Sequence, residues 1–385
     1  MLQERALKSA PRGVDTRGVI DIDLLDERLV DALDADLRVI RRGDAPAPVA
    51  PPAPAAPRRL APVPPPRPAV VRPAKAPKAA KGLKAAKAPK PAKAGALAGP
   101  TPGAEGRWIA DLLRQGRLAD ADHHIALHAA HALESRDPHR RHDAATWATM
   151  RALLDGNEAK ARGSLASART FGTEAGDPDT ADRYWAQRFW IALEWGSEAE
   201  QSEALDHCRE RAYRYDDIEW RGPLTLALAR LGRTDEAQRE FDLTFEQLRR
   251  AARVDLMCTL AEAAGFLGDP QRAAKVQHHL DGSDDTLVVL NDAWVCIGAL
   301  ARYQAHAAAG MGAWARADER FGTAVELHGD LQARPLMART LREWGCSLIG
   351  RDNARARAYI RESHDLASRL GLAGLVTPTR AIPAA

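Results

Sequence analysis

The chain has 385 residues, a formal net charge of +3, nine Trp among only 5% aromatic residues, and four Cys. No stretch approaches the roughly 18 uninterrupted apolar residues of a membrane span, and the opening MLQERALKSAPRGVD is charged where a secretory signal needs an apolar core. A cytoplasmic protein without a transmembrane segment is expected, and the widely spaced Cys208, Cys258, Cys296 and Cys346 read as reduced, buried thiols.

Residues 1–18 show no pattern and are expected to be disordered. Within 19–43, Ile22, Leu25, Leu29, Leu33, Leu37 and Ile40 recur at three- and four-residue steps, which predicts one amphipathic helix. Aspartates crowd its first half and Arg38, Arg41 and Arg42 its end, in keeping with the helix dipole. Alone, such a helix exposes its stripe. It therefore docks on its own chain, pairs with its copy in a homodimer through residues 20–42, or anchors another protein in a groove.

Residues 44–104 are rich in Pro, Ala and Lys and are expected to form a disordered linker. Residues 45–104 hold eleven Lys and Arg and no acid, while residues 1–44 hold eight basic and ten acidic side chains. That leaves 105–385 at −6 of the total +3. Lys75, Lys78, Lys81, Lys84, Lys87, Lys90 and Lys93 fall every third residue. Polyproline II has three residues per turn, so these ammonium groups would share one edge, a sequence-blind ligand for nucleic acid or an anionic membrane surface. The composition is similar to linker-histone tails and to the Lys/Ala/Pro extensions of actinobacterial nucleoid proteins. The alternative is a soluble spacer that its charge keeps extended.

From residue 105 a repeat begins. With a turn glycine as zero, a small residue stands at +5, a large apolar one at +9 and a small or neutral one at +12. Gly116, Gly156, Gly232, Gly268 and Gly312 fit, Gly196 fits poorly, and Gly350 fits after one inserted residue. The seven glycines lie 36 to 44 residues apart. This predicts an all-α solenoid of about seven helix-turn-helix repeats over 105–372, followed by a disordered tail over 373–385. The pattern resembles the tetratricopeptide repeat. The phrases LGRTDEAQREF (231–241), ADERFGTAVELHGDLQARPLMARTL (317–341) and ARARAYIRESHDLASRLGL (354–372) resemble the carboxy-terminal helical region of actinobacterial LuxR/MalT-like regulators and cyclase-linked ATPases. The resemblance implies a partner- or ligand-sensing superhelix.

Three local features stand out inside the repeats. His124, His128 and His131 share a helical face and are a weak metal candidate, although the repeat puts His128 at a packing position. The aromatic run from Tyr184 to Trp220 reads as core, with Tyr213, Arg214 and Tyr215 as the members expected to be exposed, in a candidate groove. Residues 281–291, DGSDDTLVVLN, read as a loop that explains the longest interval.

The sequence holds no P-loop, dinucleotide turn, GxSxG elbow or triad signature, and its carboxylates read as solvent-facing. No catalytic residue and no cofactor is expected. The leading expectation is a non-enzymatic, regulatory protein–protein scaffold that takes a protein or peptide in the solenoid groove, with the basic tail as tether. A DNA-binding nucleoid or transcription-associated protein and a small-ligand sensor are the alternatives.

Overall fold

The computed structural model describes residues 104–249, 253–372 and 375. The amphipathic segment at 20–42, the lysines at 75–93 and the tail after 375 lie outside the described residues. Among the described residues there are fourteen α-helices, one 3₁₀ turn and one two-stranded sheet. None of these helices is long and apolar enough to cross a membrane.

The helices follow one another in pairs across the turn glycines. α1 (Glu105–Arg114) and α2 (Leu118–Ser135) flank Gly116, α3 (Pro138–Asp155) and α4 (Glu158–Ala175) flank Gly156, and α5 (Thr180–Trp195) and α6 (Glu198–Arg214) flank Gly196. After the 3₁₀ turn Ile218–Trp220, α7 (Arg221–Arg230) and α8 (Thr234–Leu248) flank Gly232, and α9 (Val254–Leu267) and α10 (Pro270–Leu280) flank Gly268. Finally α11 (Leu300–Gly310) and α12 (Trp314–Asp330) flank Gly312, and α13 (Arg334–Leu348) and α14 (Asn353–Leu370) flank Gly350. Six of these glycines have φ between 61° and 78°, a left-handed turn that a side chain would strain. Gly196 instead has φ −68°, and a Cβ there would stand 2.5 Å from the Ala192 carbonyl oxygen. There the Ser197–Glu200 capping box starts α6.

The template positions are the buried ones. Ala161, Leu165 and Ala168, then Ala237, Phe241 and Thr244, then Ala317, Phe321 and Ala324 all face inward. The small side chains let the preceding helix approach, and the large one fills the space between. Burial in these second helices follows that one stripe. The first helices α7, α9, α11 and α13 are buried on nearly every side. A helix enclosed all round belongs inside, so the first helices form an inner layer and the second helices an outer one.

The stretch expected to be a loop is instead the start of a hairpin. β1 (Leu287–Leu290) pairs antiparallel with β2 (Val295–Ala299), with a bulge between Val288 and Val289. The apolar runs LVVL and VCIGA are buried at every residue. Alternate side chains enter two different cores. Leu287, Val289, Cys296 and Ala299 join Ile109, Leu113, Trp147 and Met150, while Val288, Leu290, Val295 and Ile297 join the large cluster built on α5 to α11. A strand buried on both faces is a continuous apolar run, so its sequence carries no alternation to mark it as a strand.

The hairpin binds parts of the chain far apart in sequence. The Thr286 amide donates to the Arg114 carbonyl at 2.6 Å, and the Trp147 indole donates to the Asp292 carbonyl at 3.3 Å. The Gln187 amide donates to Thr146 and Trp294 carbonyls at 2.7 and 2.8 Å. Independently, α13 packs on α3. There the Arg334 guanidinium donates to the Asp155 carbonyl at 2.9 Å.

Candidate functional site

The inner layer carries charge. Five consecutive first helices, α5, α7, α9, α11 and α13, place Glu194, Arg230, Glu262, Arg302, His306, Arg339 and Glu343 in the interior, with Arg302 1% exposed and Glu262 fully enclosed. Arg302 reaches Glu343 through Nε at 2.7 Å and through Nη2, and its Nη1 stands 2.9 Å from Glu262. Arg230 binds the other oxygen of Glu262, and His306 Nε2 lies 2.9 Å from Glu343. Arg339 donates to Glu194 at 2.7 Å, tying α13 to α5. Buried ion pairs therefore recur among the first helices α5, α7, α9, α11 and α13.

Burial disfavours each of these charges, and their neighbours reverse that cost. Burial raises the Glu262 carboxyl, but Arg230, Arg302 and Arg339 hold it well below its ordinary range. Burial likewise opposes the Glu343 charge, yet Arg302 and His306 bring its pKa down to about 2. Burial lowers Arg302, and Glu262 and Glu343 more than restore it. Three guanidiniums thus meet three carboxylates.

A second polar element closes the hairpin. The Ala299 amide donates to His328 Nε2 at 2.9 Å, and His328 Nδ1 donates to Thr340 Oγ1 at 3.1 Å, whose hydroxyl donates to the Leu336 carbonyl. The acceptor role of Nε2 makes this imidazole neutral. Burial first and Arg302 second lower its pKa to about 3, against a smaller raising effect of Glu343. Gly298, at φ +100°, is required beside it, because a Cβ there would lie 2.7 Å from His328 Nε2.

From the sequence these carboxylates read as solvent-facing, and the structure puts them inside. The available signal was positional. Glu262 and His306 both stand six residues before a turn glycine and Glu343 seven, while Arg302 and Arg339 precede His306 and Glu343 respectively by four. Charges repeating at a near-constant offset within otherwise apolar helices mark an inward stripe.

The residues singled out from sequence lie elsewhere and apart. His128 packs edge-on against Trp147 and donates from Nε2 to the Arg140 carbonyl at 3.1 Å. His124 packs against Trp108, and His131 is exposed. Among the described residues no group of three or more His, Cys, Asp or Glu stands where it could hold a metal ion. Of the aromatic run, Phe189, Trp190, Trp195 and Trp220 are core. Tyr213 and Tyr215 are 60% and 56% exposed. They stand at the end of the outer helix α6, not on the inner face, and Arg221 covers the first ring while Arg211 and Arg214 cover the second. The hairpin and the ion pairs are buried among the first helices. Cys208, Cys258 and Cys296 are buried thiols, and burial pushes Cys296 up to about 11.

Compared with protein-family models, with curated proteins and with solved structures, the chain matches none.

Proposed function

We propose that the described region is a tetratricopeptide-like superhelix of seven helix-turn-helix repeats, and that the protein is a non-enzymatic interaction scaffold of regulatory type. The observation that carries this reading is the position of the most deeply buried charged and titratable groups. Glu262 and Glu343 are held as carboxylates by arginines, the buried thiols are pushed up, and His328 is locked neutral, all in the core. A general acid, base or nucleophile needs a pKa tuned toward neutrality and access to substrate, and these groups have neither.

The partner is expected on the outer layer, where Tyr213 and Tyr215 are exposed beside Arg214. Aromatic and Arg side chains of this kind are enriched at interface centres. A photo-crosslinking residue in place of Tyr213 in the full-length protein should capture a discrete protein, and one at Trp147 in the core should not. Failure of both Tyr213 and Tyr215 positions to capture any protein would remove the reading.

A second reading is favoured by the seven lysines spaced at three residues, which would tether the scaffold to nucleic acid. If all seven meet phosphates, the logarithm of affinity for random duplex DNA should fall with the logarithm of salt at a slope of about −6. Deleting Ala74–Ala94 should abolish that binding. A full-length protein that ignores duplex DNA at low salt leaves the tail as a spacer.

A further inference from the structure

Where α3, the end of α4 and the start of α5 meet, two hydrogen-bond acceptors face each other. His142 is 1% exposed, and its Nδ1 lies 2.8 Å from the Ala168 carbonyl oxygen. A carbonyl only accepts, so Nδ1 carries the proton, and Nε2 of the neutral ring is left with a lone pair. That atom is buried and has no hydrogen-bond partner among the described residues. It stands 3.9 Å from Asp177 Oδ2, too far for a hydrogen bond. Gly172 lets α4 press on the ring, since a Cβ there would lie 2.8 Å from His142 Cε1.

The donors nearby are engaged elsewhere or fall short. Arg183 Nη1 donates to Asp143 Oδ1 at 2.5 Å, while Nη2 is 3.6 Å from Asp177 Oδ2. Arg183 Nε is buried and has no acceptor among the described residues. The Thr180 hydroxyl donates to the Asp177 carbonyl at 2.7 Å, and Asp177 Oδ1 accepts from the Asp179 amide at 2.8 Å. A buried lone pair facing a carboxylate oxygen needs a donor between them.

We infer that this gap is a binding site for one water molecule, which donates to both His142 Nε2 and Asp177 Oδ2. A water about 2.8 Å from each atom would meet them at an angle of about 90°, close to that between its own two bonds. Water can also accept from Arg183, which gives it the three partners typical of a buried water. An ammonium ion or a metal ion would meet that guanidinium as a like charge. A metal would also lack ligands, since no group of three or more His, Cys, Asp or Glu stands together among the described residues. Burial, and then the Arg183 guanidinium, hold the His142 pKa below its usual range, against smaller opposing effects of the Ala168 bond, Asp177 and Asp143. A second proton on the ring is therefore disfavoured. None of this depends on the scaffold reading.

The test is a high-resolution crystal structure of the full-length protein and of its Asp177→Asn variant, with anomalous data at the zinc edge. Long-range proton–nitrogen NMR of the His142 ring at about pH 7 reads its protonation. In the parent protein the expected result is a density peak within about 3.2 Å of both atoms, no anomalous signal and an unprotonated Nε2. In Asp177→Asn the side-chain amide can donate to Nε2 itself while its oxygen keeps the Asp179 amide, so the peak should be lost. A doubly protonated ring in direct contact with Asp177 overturns the inference, and so does an anomalous peak or an empty gap in the parent. A peak that survives Asp177→Asn overturns it too, because the carboxylate would not be what holds the water.

Discussion

His328 shows how one neutral ring holds an element in place. Its folded pKa is about 3, whereas an unfolded histidine takes its proton near 6.5. Between those values the unfolded chain binds the additional proton, so the stabilisation is complete above about pH 6.5 and is lost as pH falls toward 3. His207, stacked on Trp185 and lowered to about 4 mainly by burial and then by Arg211, acts in the same direction. Urea midpoints should be level from about pH 7 to 8 and should fall steadily from about 6.5 to 4. In His328→Gln that slope should be shallower, and an unchanged slope would remove His328 as its cause. Glu262 offers a second test. Glu262→Gln leaves Arg230 and Arg302 under-paired inside the inner layer and should cost about 3–5 kcal/mol by chemical denaturation. Arg162→Gln, which breaks a half-exposed pair between α4 and Glu200 on α6, should cost less than about 1 kcal/mol. Equal losses would deny the interior network its special weight.

At the scale of elements, the helices were legible and the hairpin was not. The turn glycines and the small–large–small stripe are local: each reports a backbone angle or a face that a few neighbouring residues decide. The hairpin's residues bury both faces because α1 and α3 lie on one side and the large cluster on the other. No window of sequence around 287–299 contains those helices. The Tyr213–Tyr215 exposure was legible because the helix pattern ends there, but its place on the outer layer depends on the packing of pairs. Val289→Asp should therefore act as a core lesion and not a loop change. Its charge would sit among Ile109, Trp147 and Met150, and a loss of several kcal/mol in stability is expected from burying an unpaired charge. A denaturation midpoint within experimental error of the parent would show that the hairpin does not stay docked.

Across the described residues, the same hairpin predicts how the molecule unfolds. A linear stack of repeats, each touching only its neighbours, can fray from its ends. Here Trp147 and Gln187 reach the hairpin, Arg339 reaches Glu194, and the Trp195 indole donates to the Leu370 carbonyl at 3.0 Å. Helices α3 and α5 are thereby held by α13, α14 and the hairpin. Tryptophan fluorescence and far-ultraviolet circular dichroism should report one coincident transition. Two separated transitions in the parent protein would mean that these long-range ties are weak.

Periodicity and composition were enough to read the helical class, the turn positions, the buried stripe of most second helices and the split between a basic amino-terminal tail and an acidic remainder. Those features depend on periodicity and on composition, which a single chain displays in full. The packing of distant helices shows that Glu262, Arg302 and Glu343 are buried together and that one apolar run is a strand between two cores. A carboxylate on a first helix looks the same in sequence whether it meets water or a distant arginine. Glu262 meets Arg302, 40 residues further on, only because α9 packs against α11. Which charges meet is set by how the pairs stack, and that is a property of the whole.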